Sequence, residues 1–158
     1  RLLLVGDGPL RAELQARCPT AMLAGQRSGE DLAAHYASAD LFLFPSLTET
    51  FGNVTTEAMA SGLPVVAFDY AAAAAIIRSG ENGTLVPFGN SSEFVRCALQ
   101  MAVSPARRHG IGLQARQTAA ALDWEGIVLR FEAVLLRVIH EAAPGPGTAL
   151  LAAGHPAH

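Results

Sequence analysis

Glu49 and Glu57 are two carboxylates with seven residues between them, and that interval holds Phe51, Gly52 and Asn53. A carboxylate can accept hydrogen bonds from two vicinal hydroxyls, as in ribose recognition by dinucleotide-binding folds. A glycine at a helix start lets an anion approach amides that have no intrahelical partner. The pattern therefore suits a nucleotide diphosphate joined to a polyol. Glu49 precedes the predicted helix and Glu57 lies about one turn inside it, so each can hold a different part of one extended ligand. Asn53 is the expected helix cap. The amides of Gly52, Asn53 and Val54 are the expected seat of the diphosphate. Taken singly, such carboxylates are mostly plain solvated residues. Their combination between two apolar strands points to a site.

The elements that position these residues alternate in type. Strands are expected at Leu2–Gly6, Ala21–Gly25, Leu41–Phe44, Val65–Phe68 and Leu85–Val86. Helices are expected at Leu10–Arg17, from a Ser28 cap to about Ser38, and at Asn53–Ala60, Ala71–Ser79, Ser91–Val103, Pro105–Ala121 and Trp124–Ala142. Ser28 and Asp31 have capping-box spacing. Gly62 and Pro64 stop the helix that carries Glu57. The last helix places Ile127, Phe131, Val134, Leu135 and Val138 on one face. Continuous apolar strands alternating with helices imply an α/β fold, a parallel sheet with helices on both faces. Ligands of such sheets bind at the carboxyl ends of the strands. The polar and glycine-rich turns Gly6–Pro9, Gly25–Ser28, Pro45–Asn53 and Asp69–Ala71 all lie at such ends. Residues 1–142 are read as one domain and 143–158, rich in Ala, Gly and Pro, as a disordered tail.

Composition excludes several classes. The 158 residues carry a net charge of −3, and all eleven basic residues are Arg. A large nucleic-acid surface is not expected. No run reaches the roughly 18 apolar residues of a membrane span. Cys18 and Cys97 are far apart and read as reduced thiols. There is no Asp-x-Asp and no His/Cys cluster, so no metal is expected. His35 reads as a packing or surface residue without an acidic partner, as do His109 and His140. Gly6-Asp7-Gly8-Pro9 lacks the third glycine of a dinucleotide fingerprint; Gly8 serves either a plain turn or a ligand. Gln26 and Arg27 either edge a nucleobase or stay solvated.

Pro45-Ser46, Glu49-x-Phe51-Gly52 and Glu57-Ala58-Met59-Ala60-x-Gly62-x-Pro64-Val65-Val66 together resemble the E-x7-E signature of retaining GT-B glycosyltransferases of family 4, the glycosyl transferases group 1. The resemblance continues through Leu4–Pro9 and Ala39-Asp40 upstream and Asn82-Gly83-x-Leu85-Val86-Pro87 downstream, covering roughly residues 2 to 105. Thr48–Tyr70 is most similar to bacterial members that transfer mannose or a related sugar to lipid or glycan acceptors. The resemblance implies a Rossmann-like domain, the C-terminal half of a GT-B fold. It implies transfer of a hexosyl group from a GDP- or UDP-linked sugar to an acceptor hydroxyl, with retention and without a metal or other cofactor. Glu49 would be the catalytic residue, contacting the donor sugar, and Glu57 would hold the ribose hydroxyls. Thr50, Phe51, Gly52, Asn53 and Val54 would line the sugar and distal phosphate. Gly8 would belong to the donor site, with Gln26 and Arg27 beside the base. The implied location is the cytoplasm, or the inner membrane face for a lipid acceptor.

The chain also departs from this family. Its enzymes carry an N-terminal acceptor-binding domain, and an Arg and a Lys on a loop after the first strand of the C-terminal domain. This chain has no Lys. In the family's strand order, the first strand is central, beside those corresponding to Leu2–Gly6 and Leu41–Phe44. The expectation is a piece of a longer protein that starts inside the domain, has a gap or a rearranged centre in its sheet and is inactive alone. Thr56 replaces a residue that is apolar in many relatives, and is expected to bond back to a helix carbonyl. Two rivals remain: a GT-B sugar-nucleotide epimerase, whose catalytic carboxylates and His would stand elsewhere, and a catalytically dead nucleotide-binding or interaction module.

Overall fold

A computed structural model describes residues 1–49 and 52–142. Thr50, Phe51 and the expected tail at 143–158 lie outside the described residues. The elements run β1 (Leu3–Val5), α1 (Arg11–Arg17), β2 (Met22–Gly25), α2 (Gly29–Ala37), β3 (Phe42–Phe44), α3 (Asn53–Ala60), β4 (Val65–Phe68), α4 (Ala71–Ile76), β5 (Thr84–Val86), α5 (Ser91–Ala102), α6 (Pro105–Ala120) and α7 (Trp124–Ala142). They fall into two units, Arg1–Ala121 and a second that begins at Leu122. The second unit contains α7, whose apolar side chains, Trp124 and Phe131 among them, are exposed.

All strand pairs are parallel, in the order β1-β2 and β3-β4-β5. Among the described residues no ladder joins β1 to β3, so the strands form a two-stranded and a three-stranded sheet. Coverage differs between the pieces. β4 is buried along its whole length. Its side chains alternate across the sheet, as the strand period demands. Val65 and Ala67 join Ala58 and Met59 of α3 and Ala115 and Ala119 of α6 in one core. Val66 and Phe68 join Val86, Phe94, Met101 and Ile111 in the other. The β1-β2 piece departs from the expected double cover: Leu3, Val5 and Met22 are 36%, 40% and 49% exposed.

The helix that carries Glu57 is held at its C-terminal end by backbone geometry. Gly62 has φ 79°, and its amide donates to the Met59 carbonyl at 2.9 Å while that of Leu63 donates to Ala58 at 3.0 Å. This is a Schellman cap, for which glycine is the favoured residue. Leu63 then enters the core beside Ala58 and Met59. Gly112 of α6 lies against the Gly62 carbonyl with no room for a Cβ. Asn82, fully buried, accepts from the Arg78 amide at 2.7 Å and donates to the Ile76 carbonyl and to Thr118 Oγ1 of α6. Its own buried amide is thereby satisfied, and the exposed turn at Arg78–Glu81 is tied to α6.

Several local expectations are corrected. Ser28 occupies the N-cap of α2, but its side chain makes no cap hydrogen bond. The Asp31 carboxylate instead pairs with Arg27 at 3.0 Å. The N-cap of α3 is Gly52, in the left-handed region at φ 92°, and Asn53 is the first helical residue. A left-handed entry suits glycine and leaves Asn53 no capping role. Thr56 Oγ1 is buried without a hydrogen-bond partner among the described residues, so the expected back-bond is not made.

Candidate functional site

Parallel pairing puts the carboxyl ends of β3, β4 and β5 on one side. From the end of β3 the chain passes through Pro45–Glu49 and enters α3 at Gly52. Glu49 lies at this entrance. Ser46 Oγ is 3.1 Å from Glu49 Oε1 and 3.0 Å from the Thr48 carbonyl; its single proton serves one acceptor at a time. A Cβ at Gly52 would meet Glu49 Oε2 and the Ala72 methyl, each at 3.6 Å. The buried Gly52 therefore sits between the catalytic candidate and the first turn of α4. The first amides of α3, those of Asn53 and Val54, precede any intrahelical bond. A carboxylate near them gains from the helix dipole.

Glu57 lies five residues into α3 and is exposed. Its Oε2 accepts a hydrogen bond from the Tyr36 hydroxyl at 3.1 Å. Burial, followed by the Glu57 charge and this hydrogen bond, pushes the Tyr36 phenol up to about 12. Tyr36 comes from α2, 21 residues away in sequence. No periodicity flagged it; only the packing of α2 beside β3 brings it to Glu57, with its ring 5.7 Å from that of Phe42. Ser46 was visible beside Pro45, but its contact with Glu49 depends on the loop's path.

The other candidates stand apart from this pair. Gly8 lines a groove of about 400 Å³ with Leu4, Leu10, Arg11, Leu14 and Leu23, and neither Glu49 nor Glu57 borders it. Arg27 donates to Asp31 and, at 2.6 Å, to the Ala24 carbonyl. Its guanidinium is thus committed within its own turn, while Gln26 is exposed. His35 has an acidic partner after all: Asp31 Oδ1 lies 3.5 Å from its Nδ1, one helical turn back. Among the described residues no group of three or more His, Cys, Asp or Glu could hold a metal ion. No described helix is long and apolar enough to cross a membrane.

The sequence profile of the glycosyl transferases group 1 matches residues 1–115. This chain belongs to that family. Among curated relatives, a GDP-mannose-dependent alpha-mannosyltransferase of Mycobacterium tuberculosis is 37% identical over 147 residues, covering 90% of this chain and 38% of the relative. The sulfoquinovosyl transferase SQD2 of Arabidopsis thaliana is 35% identical, covering 78% and 25%. The chain thus spans between a quarter and two fifths of these two relatives. Among solved structures, HepE of Anabaena in complex with UDP superposes with TM-score 0.73 at 26% identity, over 85% of this chain and 40% of that one. The C-terminal domain of a glycosyl transferase group 1 protein from Francisella tularensis gives 0.64 at 22% identity, over 72% and 62%, a likeness of fold. The Rossmann-like α/β architecture of one half of a GT-B glycosyltransferase is therefore the fold of this family member.

Proposed function

We propose that the chain forms the donor-binding part of a retaining glycosyltransferase. It moves a hexosyl group from a nucleoside diphosphate sugar to a hydroxyl of a lipid or glycan acceptor. The observation that carries this reading is the placement of Glu49 against Gly52 at the mouth of α3, with Glu57 farther along the same helix. Glu57 accepts the ribose hydroxyls. The open amides of Asn53 and Val54 receive the distal phosphate. Glu49 contacts the donor sugar hydroxyls, its charge held beside the forming positive character at the anomeric carbon. In the reaction the anomeric carbon–phosphate oxygen bond breaks, the acceptor oxygen bonds to the same face, and the nucleoside diphosphate leaves with the electron pair. No metal takes part in this scheme. GDP-mannose is the favoured donor, supported by the mycobacterial relative's 37% identity over most of this chain. The acceptor-binding part of the enzyme lies in the length that this chain does not share with its relatives. Cytoplasmic placement, peripheral at the membrane when the acceptor is a lipid, fits such a donor.

Calorimetry with GDP and with UDP tests the donor site. Binding of one nucleotide, abolished for the most part by Glu57→Ala with the circular dichroism spectrum intact, is the expected result. An unchanged affinity refutes the role given to Glu57, and no binding of either nucleotide favours a dead binding module. The isolated chain should transfer no sugar; turnover without added protein would contradict the division of labour.

A further inference from the structure

The Tyr36–Glu57 hydrogen bond links α2 to α3. The Tyr36 ring packs against the core formed by Ala58 and Met59, and stands 5.7 Å from Phe42. Its hydroxyl therefore arrives at Glu57 from a fixed platform. Among the described residues no Arg or His lies within ion-pair distance of Glu57. The phenol is its side-chain partner, and it occupies Oε2 alone. A free glutamate samples many rotamers, and ordering it on binding opposes affinity. A carboxylate held through one oxygen offers the other, already oriented, to a ligand.

We propose that Tyr36 is a positioning residue for the ribose-binding carboxylate, holding Glu57 by Oε2 so that Oε1 is presented to the vicinal hydroxyls of a nucleoside diphosphate. This rests on the donor-site reading given above. Tyr36 does not itself touch the nucleotide. With its titration lying far above neutrality, it remains a donor throughout the physiological range.

The test pairs a protein change with a ligand change. The 158-residue chain is titrated by calorimetry with GDP and with 2′,3′-dideoxy-GDP, as wild type and as Tyr36→Phe, which keeps the ring. The GDP dissociation constant should rise about 3- to 10-fold, the range for one net hydrogen bond. The dideoxy nucleotide, which has no hydroxyls for Glu57, should bind both proteins equally. Unchanged GDP affinity, or equal losses for both nucleotides, overturns the positioning role. Tyr36 and Tyr70 are the two tyrosines. In a Tyr70→Phe background, phenolate absorbance therefore reports Tyr36 alone. Adding Glu57→Gln should bring its titration part of the way down from about 12; no change there overturns the link itself. If that link responds but wild type binds neither GDP nor UDP, the donor-site reading falls, and the positioning role falls with it.

Discussion

Two glycines of α6 should respond in opposite directions to the same substitution. A Cβ at Gly110 meets nothing within 4 Å. Gly110→Ala in a helix interior should therefore gain about 0.8–1 kcal/mol from helix propensity alone. Gly112 gains the same propensity term, but its Cβ would sit inside van der Waals contact with the Gly62 carbonyl oxygen, 3.3 Å from the Gly62 carbonyl carbon and 3.5 Å from Pro64 Cδ. The obstacle is backbone, locked by the Schellman cap that ends α3, and cannot rotate away as a side chain would. Relief requires α6 to move from α3, opening the core around Ala58, Met59 and Ala115. Overpacking of this kind costs about 1–3 kcal/mol, and a rigid carbonyl places it at the upper end. The net expectation for Gly112→Ala is a loss of about 2 kcal/mol, and a gap of about 3 kcal/mol between the variants. Urea unfolding reads this directly. With a slope of about 1–3 kcal/mol/M, the midpoints should separate by about 1 M or more. Equal midpoints, or a Gly112→Ala protein more stable than wild type, would refute the claim that α6 is in backbone contact with the cap that ends α3.

Three further expectations follow from the same packing. Ala71 holds φ 49°, a left-handed conformation that costs a residue with a Cβ about 1–2 kcal/mol. Ala71→Gly should raise the melting temperature slightly, and Ala74→Gly on the exposed side of the same helix should lower it; two losses of equal size would show that no strain exists. Thr56 has a buried hydroxyl without a partner among the described residues, so Thr56→Val should gain about 1 kcal/mol, seen as a melting point about 2–4 °C higher; a lower one would mean that the hydroxyl is satisfied. The Tyr36 phenol titrates near 12 in the folded chain against an ordinary 10. The folded state then keeps its proton longer than the unfolded one. This contribution is complete below pH 10 and is lost as pH rises to about 12. Tyr36→Phe should flatten the fall in stability across that window, and identical slopes for the two proteins would count against the raised titration.

Signals confined to one stretch of chain were legible in the sequence. The apolar runs Phe42–Phe44 and Val65–Phe68 are strands within one residue of expectation; β4, buried along its whole length, needs no polar alternation. Gly62 and Pro105 marked helix ends through backbone geometry that few other residues provide. Glu49 and Glu57 were placed on either side of a helix start, because seven intervening residues leave room for one turn into α3 and little else. Polar side chains were less legible, since several partners compete for each. Arg27, a candidate for the base, satisfies itself on Asp31 and Ala24, and that choice withdraws Asp31 from the cap expected at Ser28.

The sequence by itself determined the family, the parallel α/β architecture and the pair of carboxylates around a helix start, all of which depend on local pattern and spacing. Only the tertiary structure decided what holds those carboxylates. Tyr36 reaches Glu57 across 21 residues and Asn82 reaches Thr118 across 36. Gly112 meets Gly62 from a different helix. Such contacts depend on how separate elements lie against one another, which no single stretch of residues encodes.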